Sequence, residues 1–322
     1  MPFITDKRIM GFKVEDPAYT AIANGAIEYA FKPFDIAYSP EVETVARKYA
    51  TGDYSAFKSV VGKISMTCSF SVHLAWSGVA ATPPEFADLL EACAMTETVH
   101  GSTGVSYKTT SVCSAPITIV IWESPCGAGS DGLYIKMKGA MGTVQIVMDA
   151  VGNPVTMNFE FQGVLNAMGD DTVPTVTGYD TTDPDPVLSS TITLDFENGS
   201  PVAQNIDSMT VDIGNTIAMY TDPADAYGFR GAYVVGREPT LELDPYLEPL
   251  ATQDLASFWT GGVTGNFVMT VGDNITLSAP AFQITEAYSP ADRDGIVTHT
   301  LSGILTRLDG NDDFEILQGS KT

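Results

Sequence analysis

The side chains best suited to hold a metal ion lie near the C-terminus, at Asp309, Asn311 and Asp313. Alternating Asp and Asn oxygens of this kind open the loops that bind calcium. Phe314, however, stands where such a loop requires glycine, and Ser320 stands where a glutamate would close it. The spacing therefore favours a β-turn, and we expect no metal site.

The histidines give no catalytic or metal-binding pattern. His73 alternates on the polar face of a predicted strand, His100 precedes a Gly-Ser turn, and His299 alternates within the last long strand. No Cys or carboxylate stands near them at the spacing of a catalytic or metal site. We interpret all three as structural or surface residues.

The cysteines are Cys68, Cys93, Cys113 and Cys126, and no two of them form a CxxC pair. We interpret them as small apolar side chains in a reducing compartment. The motifs of serine hydrolases, zinc proteases, P-loop proteins and dinucleotide-binding proteins are also missing. The sequence therefore predicts a protein that is not an enzyme and uses no cofactor.

Alternating apolar residues predict strands throughout the chain. The clearest is Lys63–Trp76, and Pro83-Pro84 then begins a short helix. Shorter runs predict separate strands at Leu133–Lys138 and Thr143–Asp149, and again at Ile275–Ala279 and Phe282–Ala287. A second short helix is expected near Gln253–Trp259. The stretch Glu41–Gly52 fits a strand, a loop or a short helix equally well.

The pattern of Leu133–Leu165 recurs in Ile275–Leu305, and both blocks end on a long alternating strand, FQGVL in one and LSGIL in the other. Lys63–Met95 and Arg237–Gly262 form a second matching pair, each a strand, a loop and a helix. We therefore predict a mainly β protein of two tandem, duplicated antiparallel β-sandwich or barrel modules, each with one short α-helix. The expected divisions are an N-terminal arm or long loop (1–30), a first module (31–168), an Asp/Pro-rich linker (169–188) and a second module (189–322).

The chain is strongly acidic, with a formal net charge of −24. Residues 1–170 carry 11 basic and 17 acidic side chains, whereas residues 171–322 carry 5 and 23. Tight nucleic-acid binding needs clustered Lys and Arg, so this balance argues against it. No apolar run is long enough for a membrane span, and the N-terminal residues lack a secretory pattern. We expect a protein that is made and used without export.

Several blocks resemble one known family in the same order along the chain. These blocks are Glu43–Arg47 (ETVAR), Val61–Met66 (VGKISM), Pro83–Met95, Val155–Leu165, Ser208–Asn215 (SMTVDIGN), Gly236–Thr240 (GREPT) and Tyr288–Gly295. Together they are similar to the tail tube proteins, or major tail proteins, of long-tailed bacteriophages and prophages.

The resemblance implies a structural virion protein that polymerises into stacked rings, through which viral DNA is ejected into the host bacterium. With two modules per chain, three chains would make a homotrimeric, pseudo-hexameric ring. Implied partners are further copies of the chain and the tape-measure, tail terminator and distal tail proteins. DNA would pass without specific binding, no membrane would be involved, and assembly would take place in the host cytoplasm.

Two long connections combine aromatic and charged residues, a composition typical of interfaces. We expect Glu41–Ser59 and Thr221–Gly231 to join neighbouring subunits or rings. The candidate contact residues are Arg47, Tyr49, Asp53, Tyr54, Phe57, Asp222, Tyr227, Phe229 and Arg230.

Two other functions remain open from the sequence alone. A two-domain β-sandwich adhesin or carbohydrate-binding protein would also be acidic and rich in strands, although it would normally carry an export signal. A hydrolase with a β-sandwich accessory domain is a third possibility, and the missing catalytic motifs count against it.

Overall fold

Antiparallel β-strands make up most of the protein. A computed structural model describes residues 5–51, 54–125, 131–179, 182–188, 190–196, 200–250 and 254–321. No helix within these ranges is long and apolar enough to cross a membrane. The predicted mainly β class with short helices is confirmed.

The first half of the chain has helix α1, Ala87–Ala92, between its third and fourth strands. Its strands are β1 (Ile9–Val14), β2 (Phe34–Val45), β3 (Val60–His73), β4 (Met95–His100), β5 (Gly104–Thr109), β6 (Ile117–Glu123), β7 (Asp131–Met148) and β8 (Thr156–Thr172). Single 3-10 turns occur at Thr5–Lys7 and Asn24–Ala26.

The second half has helix α2, Leu255–Gly261, which begins after an Asp254 cap and ends at Gly262 in the left-handed conformation. Its strands are β9 (Ile192–Asp195), β10 (Val202–Ala203), β11 (Met209–Asp212), β12 (Asn215–Thr221), β13 (Phe229–Arg237), β14 (Thr240–Leu243), β15 (Thr264–Val271), β16 (Ile275–Arg293), β17 (Ile296–Leu305) and β18 (Glu315–Gly319).

Strand β1 lies within the segment that the sequence pattern predicts as an arm or long loop. It instead pairs with β6 in a regular antiparallel register. Met10 and Phe12 of β1 are buried in the core, so the short apolar alternation in this segment is enough to form a strand.

Two pairs of predicted strands are in fact single long strands. Strand β7 covers both runs between residues 131 and 148, and its register shifts between Lys138 and Met141. Gly139 lies in this bulge with a φ of 60°, which a glycine adopts without strain. Strand β16 covers the two later runs in the same way, and its pairing with β15 shifts between Ala279 and Phe282.

One sheet runs through both halves of the chain, in the order β10-β9-β15-β16-β17-β14-β11-β7-β8-β3-β2. Within this order the unit β16-β17-β14-β11 is followed directly by the unit β7-β8-β3-β2. The matched glycines of the repeat occupy equal places, because Gly163 of β8 faces Met66 of β3 and Gly303 of β17 faces Leu241 of β14. The repeat seen in the sequence is therefore also a repeat of strand pairing.

The two units share a continuous core. One cluster of buried apolar side chains includes Phe70 and Phe161 from the first unit and Leu241 and Phe282 from the second. Strand β8 also continues to Thr172, inside the predicted linker. The division into separate modules at residues 169–188 stays a prediction.

Candidate assembly surface

The acidic residues considered as metal ligands form hydrogen bonds and an ion pair within the chain. Asp312 accepts hydrogen bonds from the backbone N–H groups of Leu308 and Asp309, and Asp313 forms an ion pair with Arg237 at 2.7 Å. These contacts hold a turn closed, which is the role expected from the sequence. No group of three His, Cys, Asp or Glu side chains in the described ranges could hold a metal ion.

The cysteines differ in exposure. Cys68 and Cys93 are buried, and burial raises the pKa of both thiols, that of Cys68 to about 12. Both therefore stay protonated and unreactive at neutral pH. Cys113 is exposed, and Cys126 lies outside the described residues.

Two of the three histidines have hydrogen-bonding partners. His100 bonds to Ser106 at 2.8 Å, and His73 lies 3.4 Å from the hydroxyl of Thr156. His299 is only 3% exposed, and neither of its ring nitrogens finds a partner among the described residues. Burial lowers its pKa, so the neutral ring is favoured in the folded chain.

The geometry most relevant to assembly is the joint between the two strand units. Strand β11 pairs with β7 from Met209 opposite Met148 to Asp212 opposite Gln145. Beyond the strand, the Ile213 N–H donates to the Val144 carbonyl at 3.1 Å. The joint is thus an antiparallel ladder between the first strand of one unit and the long hairpin of the other.

Asn215 forms three hydrogen bonds to the first half of the chain, next to the joint. Its backbone N–H donates to the Thr143 hydroxyl at 3.1 Å. Its side-chain amide donates to the carbonyls of Cys93 at 2.7 Å and Gly142 at 3.0 Å. One residue therefore ties the second unit to the end of α1 and to β7.

The connection between β12 and β13 folds onto the first half of the same chain. Lys138 on β7 forms an ion pair with Asp225 at 2.6 Å, and its ammonium group lies 5.5 Å from the Tyr227 ring centroid. The Tyr227 hydroxyl donates to the Asn166 carbonyl, and the Tyr227 backbone carbonyl accepts from the Ile64 N–H. Burial by itself would raise the pKa of Asp225, but the hydrogen bonds from Lys138 and the Tyr227 backbone lower it overall.

The other candidate residues of this connection are also engaged within the chain. Asp222 accepts from the Ala224 N–H at 2.9 Å, which shapes the turn. The Phe229 ring lies under the Lys63 ammonium at 5.1 Å, and the Arg230 guanidinium lies 5.5 Å from the Tyr19 ring. Contact of these residues with another chain stays a prediction, because the contacts described here join the two halves of one chain.

The first candidate connection, between β2 and β3, extends away from the core. Arg47 donates to the Lys58 carbonyl at 2.9 Å, and the Tyr49 and Phe57 rings pack edge to face with centroids 5.1 Å apart. Tyr54 is fully exposed. Asp53 lies outside the described residues. Three exposed aromatic rings on a projecting hairpin are suited to contact with another molecule.

The sequence pattern did not predict several of these strands and contacts. It placed no strand at β4, β12 or β18, and it gave no contact role to Lys138 or Asn215. Asn215 ends the block SMTVDIGN and Lys138 comes just before a bulge glycine, but neither signal says which distant strand will be adjacent.

Comparison with known proteins agrees with this architecture. A family model described as phage tail tube protein matches residues 10–304. A search of curated proteins finds no match.

Proposed function

The chain belongs to the phage tail tube protein family, and on this premise we propose that it forms homotrimeric rings that stack into a tube for viral DNA. Membership makes it a structural component of a virion tail. The ring symmetry, the polymerisation and the passage of DNA into the host bacterium are the parts that we propose.

The observation that carries the proposal is the joint of β11 with β7. Two equivalent strand units of one chain already lie side by side in one sheet, related by a repeated pairing. A contact that repeats with the same geometry generates a ring when the rotation closes. Six units from three chains would then surround one channel, and closure would leave no free strand edge along it.

The charge of the chain fits a channel that DNA crosses without being held. Duplex DNA carries roughly one negative charge per 1.7 Å of its axis, so a basic lining would retain it. With a net charge of −24 per chain, we infer that the lining is acidic and repels phosphate.

Within the virion tail, the further partners would be the tape-measure, tail terminator and distal tail proteins, and assembly would take place in the host cytoplasm.

The alternative of an adhesin or carbohydrate-binding protein loses its support once the family is known. The family model covers both strand units.

Electron microscopy of the purified protein tests the proposal. We expect hollow tubes or stacked rings, with projections down the axis showing six similar lobes built from three chains. Dispersed monomers at high protein concentration, under conditions where the fold is intact by circular dichroism, would contradict it.

A further inference from the structure

Two strand edges of the sheet, on β2 and on distal β16, are equivalent in the repeat to the two strands of the internal joint, β11 and β7. Strand β2 is the last strand of the sheet order, and no strand in the described ranges pairs with its outer edge. At the other unit, the distal part of β16, from Ser289 to Arg293, pairs with β17 alone among the described strands. Exposed edges of this kind are templates for pairing with another chain.

The repeat assigns each edge residue an internal counterpart. Pro40 of β2 faces Met66 of β3 as Val211 of β11 faces Leu241 of β14. Since Met66 and Leu241 face the matched glycines, Pro40 occupies the place of Val211.

The same reasoning assigns the opposite side of the joint. Asp292 of β16 faces Val297 of β17 as Ile146 of β7 faces Met157 of β8. Val297 and Met157 stand at equal distances along the chain from the matched glycines. Asp292 therefore occupies the place of Ile146.

Resting on the proposed function, we infer that β2 of one chain pairs antiparallel with distal β16 of a second copy, with Pro40 opposite Asp292. In the internal joint Val211 lies opposite Ile146, and the contact between chains repeats this pairing. It follows that Glu41 lies opposite Ala291 and that the Val42 N–H donates to the Pro290 carbonyl, as Ile213 does to Val144.

Burial supports this assignment. Ile213 and Met157 are fully buried at the internal joint, whereas their counterparts Val42 and Val297 are 49% and 48% exposed. Apolar side chains at positions that the repeat otherwise covers indicate that a neighbour is missing.

Two prolines lie at the assigned places, and one of them costs a hydrogen bond. Pro290 keeps the carbonyl that the joint uses at Val144, and its missing N–H is no loss there. Pro40 has its nitrogen on the outer edge of β2 and no N–H to donate, so its pair with Asp292 keeps only the bond from the Asp292 N–H to the Pro40 carbonyl.

Disulfide cross-linking tests the register. The variant Glu41→Cys/Ala291→Cys is made with Cys113→Ser and Cys126→Ser, so that these two native thiols do not interfere. Because Ile213 bonds across the joint, its neighbour Asp212 and the equivalent Glu41 belong to pairs without hydrogen bonds. Such pairs have Cα atoms about 4.5 Å apart, within disulfide range.

We expect non-reducing gels of oxidised tubes to show linked dimers and trimers for this variant. Mixing chains that carry only Glu41→Cys with chains that carry only Ala291→Cys should give dimers alone. The internal counterpart, Asp212→Cys/Gln145→Cys, is the positive control and should close within one chain. Glu41→Cys/Asp292→Cys, shifted by one residue onto the opposite face, is the matched negative control.

Tubes that form normally but link through the shifted pair, or through neither pair, would overturn the register and leave the proposed function intact. Absence of rings and tubes in the unchanged protein would instead count against the proposed function.

If the cysteine variants do not assemble, hydrogen exchange on the unchanged protein decides: the Val42 amide should become protected when tubes form. A Val42 amide that exchanges equally fast in tubes and in free chains would overturn the inference.

Discussion

At the scale of single residues, His299 is a buried polar side chain where the first unit has an apolar one. Its counterpart in the first unit is Phe159, which stacks with Phe70 and Phe161. His299 stacks on Tyr288 in a similar way, but neither of its ring nitrogens has a partner in the part of the chain that the structure describes. A buried polar group without a partner costs about 1–3 kcal/mol.

We predict that His299→Phe raises the free energy of unfolding by about 1 kcal/mol at pH 7, because stacking is kept and the unpaired nitrogens are removed. Burial lowers the pKa of His299, so below about pH 6.5 the unfolded chain binds more protons at this residue than the folded chain. The unchanged protein therefore loses stability as pH falls through this window, and the advantage of the variant should grow.

Urea unfolding at pH 7 and pH 5 measures both effects. His100→Gln is the control, since this half-buried histidine has a hydrogen-bond partner. A His299→Phe variant that is less stable at both pH values would show that the ring nitrogens have partners in solution.

Lys138 gives a second prediction at this scale. Lys138 and Asp225 have side chains only 10% and 16% exposed, so removing one charge leaves the other poorly solvated. We predict that Lys138→Met lowers the free energy of unfolding by about 2 kcal/mol, and that Lys138→Met/Asp225→Asn recovers part of the loss.

Lys13→Met is the matched control, because Lys13 pairs with Glu28 at an exposed position and should cost no more than about 0.5 kcal/mol. Equal losses in Lys138→Met and Lys13→Met, measured by urea unfolding, would show that the buried pair stabilises the fold no more than an exposed one.

At the scale of elements, local pattern predicts strands but not their neighbours. Apolar alternation is enough to locate β3 and β8, since each buries one face of the strand over most of its length. The two short helices are also expected near their observed places. The alternation predicts two strands in place of β7 and two in place of β16, because a bulge interrupts it without ending the strand. It also misses β18, whose place depends on pairing with β5 and β16, far away in the chain.

The candidate contact residues show the same limit. Composition identifies both connections as interface segments, but it cannot say that Tyr227 contacts Asn166 of its own chain while Tyr54 remains exposed. That difference follows from the order of the units: the β11 edge of the second unit lies beside the first unit, whereas the β2 edge of the first unit has no neighbouring strand in the described ranges.

We predict that deleting Asp53–Phe57 leaves a folded, soluble protein that no longer polymerises, because the deletion removes two exposed aromatic rings from the free hairpin. Circular dichroism checks the fold and electron microscopy checks the tubes. Leu308→Ser, at an exposed apolar residue on the C-terminal turn, is the control and should still form tubes. Tubes of normal length from the deletion variant would exclude this connection from assembly.

At the scale of the whole molecule, the excess of acids has a consequence for the tube. We predict a negative electrostatic potential along most of the lumen. Screening acts over about 8 Å at physiological salt, so DNA would slide without lasting contacts. A structure of the assembled tube gives this potential directly, and a positive lining would refute the mechanism.

The central claim is that one chain supplies two equivalent wall units, joined to its neighbours as they are joined to each other. Cryo-electron microscopy of the tubes, combined with native mass spectrometry of isolated rings, tests it most directly. The account predicts rings with the mass of three 34.3 kDa chains and six similar units around the channel. A ring of six whole chains, with twelve units in one layer, would contradict it.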